Sequence, residues 1–204
     1  MGEGLGVRAL LVSTIGVLAL QGAFAEHINK LNSLGVDARE VRMPADLEGL
    51  AGLIIPGGES TAIGKLIDRF NLREPIVSMA GSGKPLWGTC AGMILMGREV
   101  DADTRGPAQP LLGLMDLTTR RNAFGSQVDS FETELDMPVV SSERLPAVFI
   151  RAPVVSSVGD AVKILSQLPD GRIVAVQQGN LVATAFHPEL TQVTDFHAWF
   201  VSLT

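Results

Sequence analysis

Pro85-Leu86-Trp87-Gly88-Thr89-Cys90-Ala91-Gly92-Met93-Ile94-Leu95-Met96-Gly97 is the stretch that decides the fold. Residues 85–89 form a short apolar run suited to a buried strand, and residues 91–97 suit a helix, so Cys90 falls in the turn between them. A nucleophile in such a turn sits in a cramped corner. Side-chain bulk must be small two positions to either side, where Gly88 and Gly92 stand. The turn lifts the sulfur above a sheet edge and sets it at a helix N-terminus, where the helix dipole and unpaired N–H groups favour a thiolate and can hold an oxyanion. A buried structural cysteine is the plainer reading of a lone Cys, and the flanking glycines weigh against it.

Outward from this junction the strand-helix rhythm repeats. Residues 15–20 read as a strand, 24–34 as a helix ending at Gly35, 36–41 as a second strand, and 53–55 as a short buried strand ending at Pro56-Gly57-Gly58. Residues 60–70 read as a helix with Ser60 as N-cap, and 75–80 as another. The alternation predicts an α/β fold: a flavodoxin-like, doubly wound, mostly parallel sheet with helices on both faces. After Leu111 the pieces become shorter and β-rich, at 114–120, 130–135, 147–150, 162–165, 173–177 and 181–186. Asp170-Gly171 and Gly179-Asn180 are turn signals that join the last three into a meander. Residues 195–203 close the chain as a helix with Phe196, Trp199, Phe200 and Leu203 on its apolar face.

Residues 13–204 read as one domain, and residues 1–12, with three glycines, as a disordered extension or a misassigned start. The run from Ala9 to Leu20 after Arg8, with Ala23-Phe24-Ala25, has the outline of a signal peptide. Its polar breaks at Ser13, Thr14 and Gly16 favour the first strand of a parallel sheet instead. No other stretch is long and apolar enough to span a bilayer. A net charge of −6 supplies no basic face, which argues against a nucleic-acid partner. With one cysteine there is no internal disulfide, and a reducing, cytoplasmic compartment fits. No cofactor and no metal is expected.

A nucleophilic thiol needs a base, and there are three histidines. His27 and His197 lie in predicted helices, in settings that suggest surface or packing roles. His187 ends a predicted strand and precedes Pro188 and Glu189. In extended backbone, positions i and i+2 face one side, so Glu189 can lie beside the imidazole and fix its tautomer. Pro56-Gly57-Gly58-Glu59-Ser60 ends another strand, with backbone N–H groups open to a ligand and an acidic side chain suited to an ammonium group. By itself that segment serves equally as a strand-to-helix turn.

Together, Gly88-Thr89-Cys90-Ala91-Gly92, Pro56-Gly57-Gly58-Glu59-Ser60 and Phe186-His187-Pro188-Glu189-Leu190 resemble the class I (triad-type) glutamine amidotransferases. Leu20-Gln21-Gly22-Ala23 with Glu26-His27, Arg121-Asn122-Ala123-Phe124-Gly125, Gln127-Val128-Asp129-Ser130-Phe131 and Phe149-Ile150-Arg151-Ala152-Pro153 narrow this to the glutaminase subunits of pyridoxal 5′-phosphate synthases. The likeness runs from about Ile15 to the last helix. It implies that Cys90 attacks the carboxamide of L-glutamine to form a γ-glutamyl thioester, that His187 passes protons and that Glu189 orients it. It implies an oxyanion site at the N–H groups of Ala91 and the Gly57-Gly58 turn. Gly57, Gly58, Glu59, Arg121, Ile150 and Arg151 match glutamine-binding positions.

The resemblance also implies a partner, since ammonia released to bulk water is lost: a barrel-shaped synthase subunit that receives it by an internal channel for vitamin B6 synthesis. The first helix, around residues 23–27, is a candidate docking surface. Three other readings share parts of the pattern. A glutaminase serving another synthase, such as imidazole glycerol phosphate synthase, would keep the triad. A peptidase or deglycase-like relative would lack the His-Pro-Glu pairing. A sensor thiol at Cys90 would need neither His187 nor Glu189.

Overall fold

A computed structural model describes residues 13–101, 109–121, 123 and 130–204. The expected extension at 1–12, residues 102–108, and residues 122 and 124–129 lie outside the described residues. In chain order the elements are β1 (Ile15–Leu18), α1 (Phe24–Ser33), β2 (Ala38–Val41), β3 (Gly52–Ile55), α2 (Ser60–Arg69), α3 (Arg73–Gly81), β4 (Leu86–Thr89), α4 (Ala91–Met96), β5 (Gly97–Val100) and β6 (Met115–Arg120). There follow β7 (Ser130–Leu135), β8 (Leu145–Ile150), β9 (Val154–Val158), β10 (Lys163–Gln167), β11 (Ile173–Gln178), β12 (Leu181–Thr184) and α5 (Asp195–Val201).

One large sheet runs β2-β1-β3-β4-β12-β11-β9-β6-β5, with β10 on β11. From β2 to β12 every pairing is parallel, while β12-β11, β11-β9 and β9-β6 are antiparallel. The doubly wound parallel half is as expected, and β10-β11-β12 is the expected meander. The apolar run that resembled a signal peptide supplies β1, buried between β2 and β3.

β1, β3 and β4 are buried along their whole length because helices cover both faces. Alternation along β4 divides the faces. Trp87 stacks on Phe196 of α5 at 4.6 Å and meets His27 of α1 edge-on at 5.3 Å, whereas Gly88 turns to α4. Each fully buried Ile or Leu of these strands contributes about 1.5–3 kcal/mol of apolar burial. The sheet therefore holds the ends of β3, β4 and β12 rigidly, and the site grows from those ends.

Two strands were not anticipated. β5 follows α4 directly and carries Arg98 and Glu99 exposed on a sheet edge; β9 lies between β11 and β6. Ser60 is not the cap of α2. Glu59 is, accepting the amides of Thr61 at 3.0 Å and Ala62 at 2.7 Å.

Candidate active site

Cys90 emerges from β4 in the left-handed region, at φ 49° and ψ −101°, a strained backbone for a residue with a side chain. Its amide donates to the carbonyl of Thr184 at 2.7 Å, pinning the turn to β12. The glycines beside it are required by contact. A Cβ on Gly88 would meet the backbone of Gly92, and one on Gly92 would overlap the carbonyl of Ile55 on β3. The elbow thus presses flat against its neighbours, as the sequence implied. Ala91 opens α4, where a helical amide has no partner within the helix.

β12 lies in parallel register with β4, Thr184 opposite Thr89, so the segment after β12 leaves the sheet edge beside Cys90. His187 is on that segment, and its amide donates to Val148 of β8 at 2.8 Å. Glu189 reaches it by a different route from the one expected. Pro188–Leu190 form a 3₁₀ turn with His187 at its start, not an extended strand. The turn still brings Nδ1 of His187 to 2.7 Å from Oε1 of Glu189. That leaves Nε2 for the sulfur of Cys90, which lines the same cavity and whose proximity raises the pKa of His187.

Both members of this pair are buried, with His187 7% and Glu189 4% exposed. Burial alone would strip the proton from His187. The hydrogen bonds and charges of Cys90 and Glu189 overcome it and raise its pKa to about 10. Burial likewise opposes the carboxylate of Glu189, yet His27 and His187 hold its pKa below the ordinary value. An imidazolium beside a sulfur is an arrangement that can hold a thiolate.

Above these groups lies a cavity of about 400 Å³. Its walls include Gly58, Glu59, Ala91, Arg121, Ile150 and Arg151, six of the residues matched to glutamine binding or the oxyanion, together with Cys90 and His187. Gly57 lies just behind: a Cβ there would run into the imidazole of His187 and come within 3.3 Å of the Cβ of Cys90. Its carbonyl accepts the amide of Ala23 at 3.0 Å, so the N–H of Gly58, in the same trans peptide, turns the opposite way. Glu59 is half exposed and stands 3.6 Å from Nη2 of Arg121. Partial burial works to raise its pKa, and the amides of Thr61 and Ala62 with Arg121 prevail and hold it below the ordinary value. Arg151 projects from a left-handed backbone at φ 42°.

Sequence reasoning missed two groups here. Gln21 lines the cavity and accepts the amide of Glu59 at 2.8 Å, fixing the turn after β3. It was visible only as part of a family-selecting motif. His27 and His197 pack in the core against Trp87 and not at the surface, and their polar contacts there were not anticipated. Both are fully buried, and His27 lies 3.4 Å from Glu189. The docking surface expected around residues 23–27 therefore excludes His27, although Ala25 and Glu26 of that turn are exposed.

The match to the SNO glutamine amidotransferase family spans residues 17–204. The chain belongs to that family. Among its relatives, the pyridoxal 5′-phosphate synthase subunit PdxT of Herpetosiphon aurantiacus is 60% identical over 190 residues, covering 93% of this chain and all of the relative. The PdxT subunit of Deinococcus radiodurans is 53% identical, covering 93% of this chain and 96% of its own. A crystal structure of a glutamine amidotransferase superposes with a TM-score of 0.86 at 44% identity, over 93% of this chain and 97% of that one. A putative GMP synthase subunit from Thermoplasma acidophilum shares the fold at a TM-score of 0.65 and 16% identity, with 94% of both chains covered. Among the described residues no helix is long and apolar enough to cross a membrane.

Proposed function

We propose that the chain is the glutaminase subunit of a pyridoxal 5′-phosphate synthase, hydrolysing L-glutamine to L-glutamate and ammonia with Cys90, His187 and Glu189. The observation that carries this is the buried pair of His187 and Glu189, hydrogen-bonded at 2.7 Å, beside Cys90 at the floor of a cavity walled by Glu59, Arg121 and Arg151. A free amino acid has two charged ends, and this wall offers both signs to read them.

In the first half of the reaction the thiolate of Cys90 attacks the carboxamide carbon, and the oxygen takes up the negative charge. The amides of Ala91 and Gly58 are the donors for that oxyanion. As the C–N bond breaks, His187 gives its proton to the departing nitrogen, so ammonia leaves and a γ-glutamyl thioester remains. His187, now neutral, takes a proton from water. The hydroxide attacks the thioester, the C–S bond breaks, and Cys90 leaves as the thiolate beside a reprotonated His187. Glu189 keeps the imidazole in one tautomer throughout. No step needs a metal or a cofactor.

Released ammonia is useful only to an acceptor that captures it before bulk water does. The reading therefore includes a synthase subunit docked on this chain, with the exposed turn around Ala25 and Glu26 as part of its contact. Ammonia release from glutamine, measured with and without a pyridoxal 5′-phosphate synthase barrel subunit and beside Cys90→Ala, tests the reading. Release that rises with the barrel and vanishes in Cys90→Ala supports it. Release indifferent to the barrel transfers the glutaminase to another synthase, and release that survives in Cys90→Ala ends the mechanism.

A further inference from the structure

Beneath the triad lies a buried polar chain that the reaction as written does not use. Oε1 of Glu189 is taken by His187, but Oε2 is buried and no hydrogen bond reaches it among the described residues. A charged oxygen left without a donor in the interior is costly. The contact it does have is with Nε2 of His27, at 3.4 Å. That nitrogen also lies 3.3 Å from Oγ1 of Thr89, the residue before Cys90. On the other side of the ring, Nδ1 of His27 lies 2.9 Å from Nε2 of His197 on α5.

The proton positions follow from what is left over. Among the described residues, Nδ1 of His197 is buried without a hydrogen-bond partner. A vacant lone pair is cheaper there than an unsatisfied N–H, so the proton of His197 is on Nε2 and is donated to Nδ1 of His27. His27 must then carry its own proton on Nε2, the nitrogen hydrogen-bonded to Thr89 and 3.4 Å from Oε2 of Glu189. We infer that His27 is a positioning residue for the glutaminase reaction: its Nε2–H holds the second oxygen of Glu189, and His197 fixes the tautomer that makes this possible.

The charges around the pair agree with a neutral relay. Burial lowers the pKa of His27, Glu189 and Glu26 pull it up, and His187 pushes it down. Burial takes His197 down to about 2, and any charge on His27 or Lys30 would push it further the same way. Lys30 itself is held away by its donation to the carbonyl of Thr191 at 2.5 Å. The positive charge of the site thus stays on His187, next to the sulfur, and does not spread into the core.

The inference rests on the proposed glutaminase activity, and the experiment separates the two. His27→Leu, His27→Gln and His27→Asn are compared with the unaltered chain, each with the barrel subunit. Gln places an amide N–H where Nε2 was, whereas Asn places it where Nδ1 was. Leu should lower kcat about ten- to a hundredfold, the loss expected for one hydrogen bond to a charged group, and leave KM little changed. Gln should recover most of that loss and Asn little of it.

Cys90 is the single cysteine of the chain, so its alkylation rate with iodoacetamide at neutral pH reports the thiolate without any turnover. It should fall in the same order, with Gln above Asn. Equal activities for Gln and Asn at equal melting temperature, an unchanged kcat in a folded Leu variant, or a change confined to KM would overturn the inference. If His27→Leu does not fold, the comparison of Gln with Asn still decides. An unaltered chain that releases no ammonia from glutamine defeats the functional reading instead, and the alkylation order then still tests the positioning role.

Discussion

His187 is held charged against its surroundings, and that tension is measurable. Its folded pKa of about 10 lies above the ordinary 6.5, so the folded chain binds this proton more tightly than the unfolded chain does. The stability it contributes is fully present below pH 6.5 and is lost as the pH rises through about 10. Thermal melts of the chain and of His187→Gln between pH 6 and pH 10.5 should show the advantage of the natural residue shrinking across that window. A flat or growing difference would contradict the ion pair. Cys90, His187 and Glu189 were legible in sequence because each sits in a local pattern whose chemistry is local: an elbow between glycines and a His-Pro-Glu turn. His27 and His197 were not, because their partner contact spans 170 positions and each helix alone offers only an apolar face with one polar residue in it. Glu59 was read for its charge alone. Its second duty, capping α2, depends on where the turn before the helix ends.

At the scale of elements, the junction of β3, β4 and α4 has almost no slack. A Cβ on Gly92 would strike the carbonyl of Ile55, and backbone there cannot move without displacing β3. Gly92→Ala should therefore cost about 1–3 kcal/mol, as overpacking of a core does. For a chain of this size that lowers Tm by about 2–4 °C per kcal/mol. Gly81, the last residue of α3, has nothing within 4 Å of such a Cβ, and Gly81→Ala should leave Tm unchanged or raise it slightly. Calorimetry on the two variants gives the contrast, and equal shifts would mean that the elbow is softer than its contacts imply. Sequence placed most elements within a few residues because apolar runs bounded by glycine and proline mark them. It missed β5, whose Gly97-Arg98-Glu99 carries no strand signal and which exists because β6 offers it an edge. It missed β9 because Ser156 and Ser157 interrupt the apolar run, and its burial comes from β6 and β11 on either side.

For the whole molecule, the decisive feature is a strand from near the end of the chain lying in the middle of the sheet. β12 pairs parallel with β4 on one side and antiparallel with β11 on the other. The α/β part carries Cys90 and the later, β-rich part carries His187 and Glu189, so neither part holds the proposed site alone. Sequence could divide the chain into an α/β part and a β-rich part, but no local signal says that the second part returns to complete the sheet of the first. We propose that the two parts unfold as one domain, because separating them would break the β4-β12 ladder, the Cys90 amide bond to Thr184 and the Trp87 bond from Nε1 to the hydroxyl of Thr184 at 3.1 Å. Calorimetry should then give a single transition, and amides of β1, β3 and β4 should reach the same hydrogen-exchange ceiling as those of β6, β9 and β11. Two resolved transitions, or a lower ceiling confined to the antiparallel strands, would mean that β12 is only docked against β4. Catalysis would then depend on that docking being made, and a synthase that tightened it would switch the glutaminase on.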